Sequence, residues 1–260
     1  MPPADRTATA ATKRRLDADG GGSTNYERDE TMKDFNDIGI SRRLDWPRIQ
    51  HLFRLGLFGA FLTLIGDLIL GWGVQDESYD GILRMLSAYT GTSDGGILAA
   101  ALLGMFGVTL EGLSSFGIYR LMAEKSPEHA HRYRSGILGY IIFGGCGFHV
   151  PVCAMAFLMK HGFATELLLK YAAYFVLPGF VLFWVFFLVM QITQISAFAK
   201  ECTPYPKWCW VFSMPVGMAV AMAITVFGNY PIGNAVSCAW ISIGNLWMFG
   251  GLLAMMKKAQ

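Results

Sequence analysis

Leu55–Gly71 reads LGLFGAFLTLIGDLILG, and this stretch decides the fold. Its single charged residue, Asp67, sits in an otherwise apolar run. Taken out to about residues 52–73, the run reaches the roughly twenty residues that cross a hydrocarbon core as a helix. Gly56, Gly59, Ala60, Thr63, Asp67 and Gly71 recur at three- and four-residue steps, so they share one helical stripe. Leu, Ile and Phe dominate the other faces. A stripe of small residues lets a neighbouring helix approach closely, which turns Asp67 towards protein rather than lipid. A charge at that depth is costly and by default functional.

Five further apolar stretches follow, at about 97–120, 136–159, 171–197, 208–228 and 234–256. They predict an all-α fold: a polytopic integral membrane bundle of six transmembrane helices. The fourth stretch is long enough to tilt or to protrude at the cytoplasmic end. Gly228-Asn229-Tyr230-Pro231-Ile232-Gly233 reads as a tight turn joining the last two spans into an antiparallel hairpin. Between the first two spans, Ile82, Met85, Leu86 and Tyr89 recur at helical spacing within an acidic loop, which predicts a short interfacial helix.

Composition agrees with the membrane reading. The chain of 260 residues is 53% hydrophobic and only 15% charged, against about 25% charged in an ordinary soluble domain. Residues 1–40 are rich in Ala, Thr, Gly, Asp and Arg, too polar to offset the entropy of ordering, and are expected to be disordered. Residues 1–47 therefore form a cytoplasmic tail and interfacial lead-in, and residues 48–260 form the six-helix domain. A net charge of +2 provides no nucleic-acid footprint.

Orientation follows from the loops. Arg42, Arg43, Arg48 and Arg54, then Arg120, Lys125, Arg132 and Arg134, then Lys200, Lys207, Lys257 and Lys258 fall on one side. Only Arg84, Lys160 and Lys170 fall on the other. Basic residues stay inside, so both termini are expected in the cytoplasm, with the protein in the plasma (inner) membrane.

Each remaining span adds polar groups. GMFGVTLEGLSS places Gly104, Gly107, Glu111, Ser114 and Ser115 on one face. GYIIFGGCGFHVPVC sets His149 one turn from Cys146, and Pro151 predicts a freed carbonyl near residue 147 and a kink beside His149. The last span stacks Asn234, Ser237, Cys238, Ser242 and Asn245 along one side. Helical rise puts Asp67, Glu111, His149 and Asn245 in a slab on the order of 10 Å thick, compatible with one shared cavity. A carboxylate beside His149 would fix its tautomer and stabilise its protonated form.

The expected site is thus Glu111, His149 and Asp67 as acid/base groups, with Asn245, Ser115, Asn229, Asn234 and Cys146 as substrate-binding candidates. Each has a plainer reading. A buried carboxyl can be neutral and structural, and membrane asparagines are more often interhelical glue. Five cysteines show no CxxC spacing, and His129 and His131 lack further ligands at suitable spacing, so no metal is expected. No P-loop, GxSxG, HExxH or retinal-type lysine occurs, and no cofactor is expected.

Three functions are compatible with this interior. The favoured one is an intramembrane acid/base enzyme acting on a lipid-soluble substrate, in the broad manner of small helical membrane isomerases and hydrolases that use buried Glu, Asp and His. A proton-coupled transporter or channel subunit is the second; six spans are few for a transporter, so it implies a homodimer. The third is a non-catalytic scaffold whose polar groups only fix helix register. The expected partners are membrane lipids and a lipid-soluble small molecule.

Overall fold

The computed structural model describes residues 44–224 and 228–260. The expected disorder of residues 1–40 lies outside them. Every described element is helical. Helix α1 runs Trp46–Gly71, α2 Gly81–Ser87 and α3 Asp94–Ala123. Helix α4 runs Pro127–Lys160 and α5 Thr165–Ala199. Helix α6 runs Met214–Ile224, α7 Pro231–Cys238 and α8 Trp240–Ala259.

The helix starts follow local chemistry. Asp45 caps α1 by accepting the Arg48 N–H at 3.0 Å, and Pro47 occupies the first turn, where its missing N–H costs nothing. Ser93 caps α3 by accepting from Gly96 at 3.1 Å. The short helix expected between the first two spans is α2.

α1, α3, α4 and α5 are each long and apolar enough to cross a membrane, and α7 with α8, bent by 61°, adds a fifth candidate. The fifth expected span, 208–228, differs. Its first part is a 3-10 turn, Lys207–Val211, and the helix proper begins at Met214. Pro215 suits a helix start, so the backbone begins its helix there although the apolar run starts earlier. Side chains of α5 hold that start in place. Gln194 Nε2 donates to Phe212 O at 3.1 Å, and Met214 N donates to Gln191 Oε1 at 3.3 Å. The fourth span is longer than expected at its other end, because its helix already begins at Thr165.

Close backbone approach builds the bundle. The most extensive packing is α1 on α3. A Cβ on Gly59 would lie 2.9 Å from Gly107 O, and one on Gly66 would lie 3.1 Å from Ala100 O. In lipid, helix association depends on such packing rather than on exclusion of water. Phe249 of α8 lies over Gly56 of α1, and Gly217 of α6 meets Gly244 of α8.

Two helices carry wide turns. Ile142–His149 in α4 and Ala172–Val176 in α5 are π-helical. Val150 N–H reaches Gly145 O, and Leu177 N–H reaches Ala172 O, each five residues back. Pro151 and Pro178 follow immediately. A proline ring clashes with the carbonyl one turn earlier, and a wider turn removes that clash. α4 therefore widens where a kink was expected. The two sites are neighbours: the Gly179 backbone lies against the Gly147 carbonyl, in space that a side chain would fill.

Candidate functional site

Asp67 of α1 and His149 of α4 face each other where the α4 π-helical stretch ends. Asp67 Oδ1 stands 3.8 Å from His149 Nδ1, and Asp67 Oδ2 accepts the Ser242 hydroxyl at 2.6 Å. His149 Nε2 lies 3.1 Å from the Ala100 carbonyl of α3. A carbonyl only accepts, so Nε2 carries the hydrogen and Nδ1 is turned towards Asp67. Nδ1 and the carboxylate would otherwise oppose lone pairs at close range. The 3.8 Å gap is longer than a hydrogen bond, and a proton carried by either facing atom removes that conflict. Gly104 makes the arrangement possible, because a side chain there would collide with the imidazole.

The couple lines a cavity of about 140 Å³ together with Thr63, Tyr89, Tyr140, Phe148 and Ser242. Tyr89 and Cys238 also line it. Ser237, Cys238, Trp240 and Ile241 reach the cavity because the α7–α8 break falls at Ala239.

Glu111 lies in the adjoining layer and is only 1% exposed. Thr63 Oγ1 donates to its Oε1 at 2.9 Å. Tyr140 and Asn245 donate to its Oε2 at 2.6 and 2.7 Å, and Asn245 also reaches the Tyr140 hydroxyl at 3.0 Å. Four helices, α1, α3, α4 and α8, thus meet on one carboxyl group. Glu111 is absent from the cavity lining, but its partners Thr63 and Tyr140 belong to it. The expected trio therefore resolves into a couple at the cavity and a carboxyl one layer behind.

The other candidates go elsewhere. The Ser115 hydroxyl donates to the Glu111 backbone carbonyl at 3.0 Å. Asn229 and Asn234 secure the loop after α1. Asn229 brackets Gln75, accepting from its N–H and donating to its carbonyl, each at 3.0 Å. Asn234 Nδ2 donates to Gly73 O and to Asn229 Oδ1, each at 2.8 Å. Cys146 is exposed. Ordinary α-helical spacing sets it one turn from His149, but the π-helical stretch shifts the register by about one residue, and Cys146 is absent from the cavity lining. His129 bonds Ser126 at 2.7 Å and Ser196 at 3.2 Å. Among the described residues no group of three or more His, Cys, Asp or Glu could hold a metal ion.

Sequence reasoning did not single out Tyr140, Tyr89 or Trp240 for the site. Aromatic residues in apolar spans read as ordinary lipid-facing or core residues, and nothing local marks a hydroxyl that meets a carboxyl from another helix.

A second hollow adjoins the first. It is an apolar groove of about 680 Å³ between α2, α4, α5 and the α7–α8 break, with Phe180, Trp184 and Leu177 on one wall and Ile82 and Leu86 on another. Met85, Phe148, Val152, Trp240 and Ile241 line both spaces. The π-helical residues Ala172, Ala173 and Val176 line the groove, and Phe148 and His149 line the cavity. Wide turns of this kind recur at functional sites because they re-aim side chains.

A family model described as "Family of unknown function (DUF6796)" matches residues 32–259. The chain belongs to this family. The DUF6796 match spans all eight helices, so the couple, the Glu111 layer and the groove all fall within the family region. No curated protein and no solved structure matches the chain. Among the described residues of this DUF6796 member every element is helical, and four to five helices are long and apolar enough to cross a membrane. Its cavity brings together a carboxyl, an imidazole and a serine hydroxyl beside an apolar groove.

Proposed function

We propose that this DUF6796 protein is an intramembrane acid/base enzyme acting on a lipid-soluble substrate. The observation that carries the reading is the set of shared walls between the Asp67–His149 cavity and the apolar groove. A substrate dissolved in lipid reaches an acid/base couple through the groove without crossing a polar path. Asp67 and His149 exchange the proton with the substrate, and Ser242 holds Asp67 in place. Glu111, fully engaged by Thr63, Tyr140 and Asn245, positions the wall behind them.

The chain passes the plasma (inner) membrane six times, with α6 as the short pass and both termini in the cytoplasm. The clustering of basic residues supports this orientation. Arg48 and Arg120 are neighbours at one end of the bundle, and Lys125 donates to Thr203 O at 3.2 Å at the α5–α6 loop. At the opposite ends of α3 and α4, Lys160 pairs with Asp94 at 2.9 Å.

The test compares lipid extracts of cells carrying the wild-type chain, Asp67→Asn or His149→Ala at equal protein levels. At least one neutral lipid species should change in abundance by tenfold or more with the wild-type chain alone. Loss of a general acid/base group slows turnover by about 10²–10⁴-fold. Indistinguishable profiles for the wild type, both variants and an empty control would overturn the enzyme reading. A C-terminal reporter active only on the outer side would overturn the orientation.

A further inference from the structure

The geometry of the couple points to the chemical class of its ligand: we infer that the cavity holds the hydroxyl head of a neutral lipid alcohol, with the apolar body in the groove. The inference rests on reading this cavity as the substrate site and goes beyond it by naming what binds.

Three observations carry it. The first is the spacing. His149 Nδ1 and Asp67 Oδ1 are 3.8 Å apart, too far for a hydrogen bond between them. A single oxygen placed about 2.8 Å from each atom completes a triangle with that base, an ordinary hydrogen-bond distance on both sides. The second is the donor and acceptor count. Nε2–H is committed to Ala100, and Ser242 is committed to Asp67. The facing edges of the couple then present one proton and one lone pair. A hydroxyl both donates and accepts, so it satisfies both edges at once. A ketone or ester carbonyl only accepts and leaves the lone pair unmatched, at the cost of an unpaired buried polar group.

The third is charge. No Lys or Arg occurs among the described residues lining either space. A carboxylate or phosphate head would lie against Asp67 with no cation to offset it, and burial of an unpaired charge is strongly unfavourable. The groove walls are apolar and include the aromatic side chains Phe180, Trp184 and Trp240, of which Trp240 also lines the cavity. The polar head and apolar body are thus assigned to two adjoining spaces of matching character. Residues of α2 and α5 line the groove together.

The experiment uses the full chain reconstituted in phosphatidylcholine nanodiscs, with three photoreactive diazirine probes sharing one hydrocarbon chain and differing in head: a primary alcohol, a carboxylic acid and a phosphatidic acid. The alcohol should label peptides of α2, α5 and the α7–α8 break at least tenfold more strongly than either anionic probe. His149→Phe should reduce that labelling by tenfold or more. Ala173→Trp, which fills the groove wall without touching the couple, should do the same and controls for misfolding at the polar centre. Equal or stronger labelling by an anionic probe would overturn the inference. So would alcohol labelling that survives both variants. An alcohol that labels as expected, with lipid profiles unchanged by the wild-type chain, overturns the enzyme reading and leaves the hydroxyl site standing. A converted lipid that carries no hydroxyl does the reverse.

Discussion

The imidazole of His149 occupies the space that a side chain on Gly104 would fill. The ring packs against α3 because α3 has a glycine there, and Nε2 reaches Ala100 O at 3.1 Å. Gly104 thereby leaves the room in which His149 meets the Ala100 carbonyl.

Gly104→Ala should push the imidazole off α3 and break the Ala100 bond. Overpacking of this kind costs about 1–3 kcal/mol. The expected outcome is a modestly lowered midpoint in thermal unfolding in detergent, with loss of alcohol-probe labelling comparable to that of His149→Phe. Labelling at the wild-type level would show that the ring position does not depend on this contact.

Tyr140 and Asn245 both donate to Glu111 Oε2 and also touch each other. Tyr140→Phe and Asn245→Ala should each destabilise the fold by about 1–3 kcal/mol, the cost of leaving a buried polar group short of a partner. Because they share one oxygen, the double variant should fall short of the sum by about 0.5–3 kcal/mol. Denaturant titration of the four proteins measures the coupling. Strict additivity would mean that the two side chains do not act on Glu111 together.

Asn234 holds Gly73 and Asn229, and Asn229 holds Gln75. Asn234→Ala should therefore release the loop after α1. Hydrogen exchange at the Gln75 amide should accelerate by at least tenfold, while exchange in the middle of α3 stays unchanged. A Gln75 amide as protected as in the wild type would place the restraint elsewhere.

Asp76 provides a pH dependence outside the membrane. Hydrogen bonds from the Ser78 backbone N–H and side chain hold its carboxyl below the usual value of 3.8. A carboxyl lowered in this way stabilises the folded loop fully above its ordinary value and loses that contribution as the pH falls through the lowered one. The Asp76–Ser78 turn should open under strong acid, seen as faster exchange at the Ser78 amide after correction for intrinsic rates. In Asp76→Asn the same amide should show no such transition between neutral pH and pH 2.

The single small-residue stripe of α1 already marked the face along which its neighbours pack. Gly59 meets Gly107, Gly66 meets Ala100, and Gly71 meets Asn234 and Cys238 on α7. Glycine periodicity is a local property, so a sequence displays it. The start of α6 was less legible. Trp208–Ser213 is as apolar as a span, and only the position of Pro215 hints that the helix begins later. The roles of Asn229 and Asn234 were also hidden, because an asparagine at a helix end can equally face a cavity or clamp a loop, and the partner that decides lies more than 150 residues away along the chain.

From the sequence alone came the apolar lengths that a bilayer requires and the inward direction of Asp67, Glu111 and His149, since a charged group facing lipid is too costly to keep. Only the three-dimensional fold decided how those groups divide. Helix rotation, set by two π-helical stretches and by glycine contacts accurate to tenths of an ångström, joined Asp67 to His149 at a cavity and gave Glu111 to Tyr140, Thr63 and Asn245. Side-chain pairing between helices depends on that rotation to within a fraction of a turn, and no stretch of one helix records it.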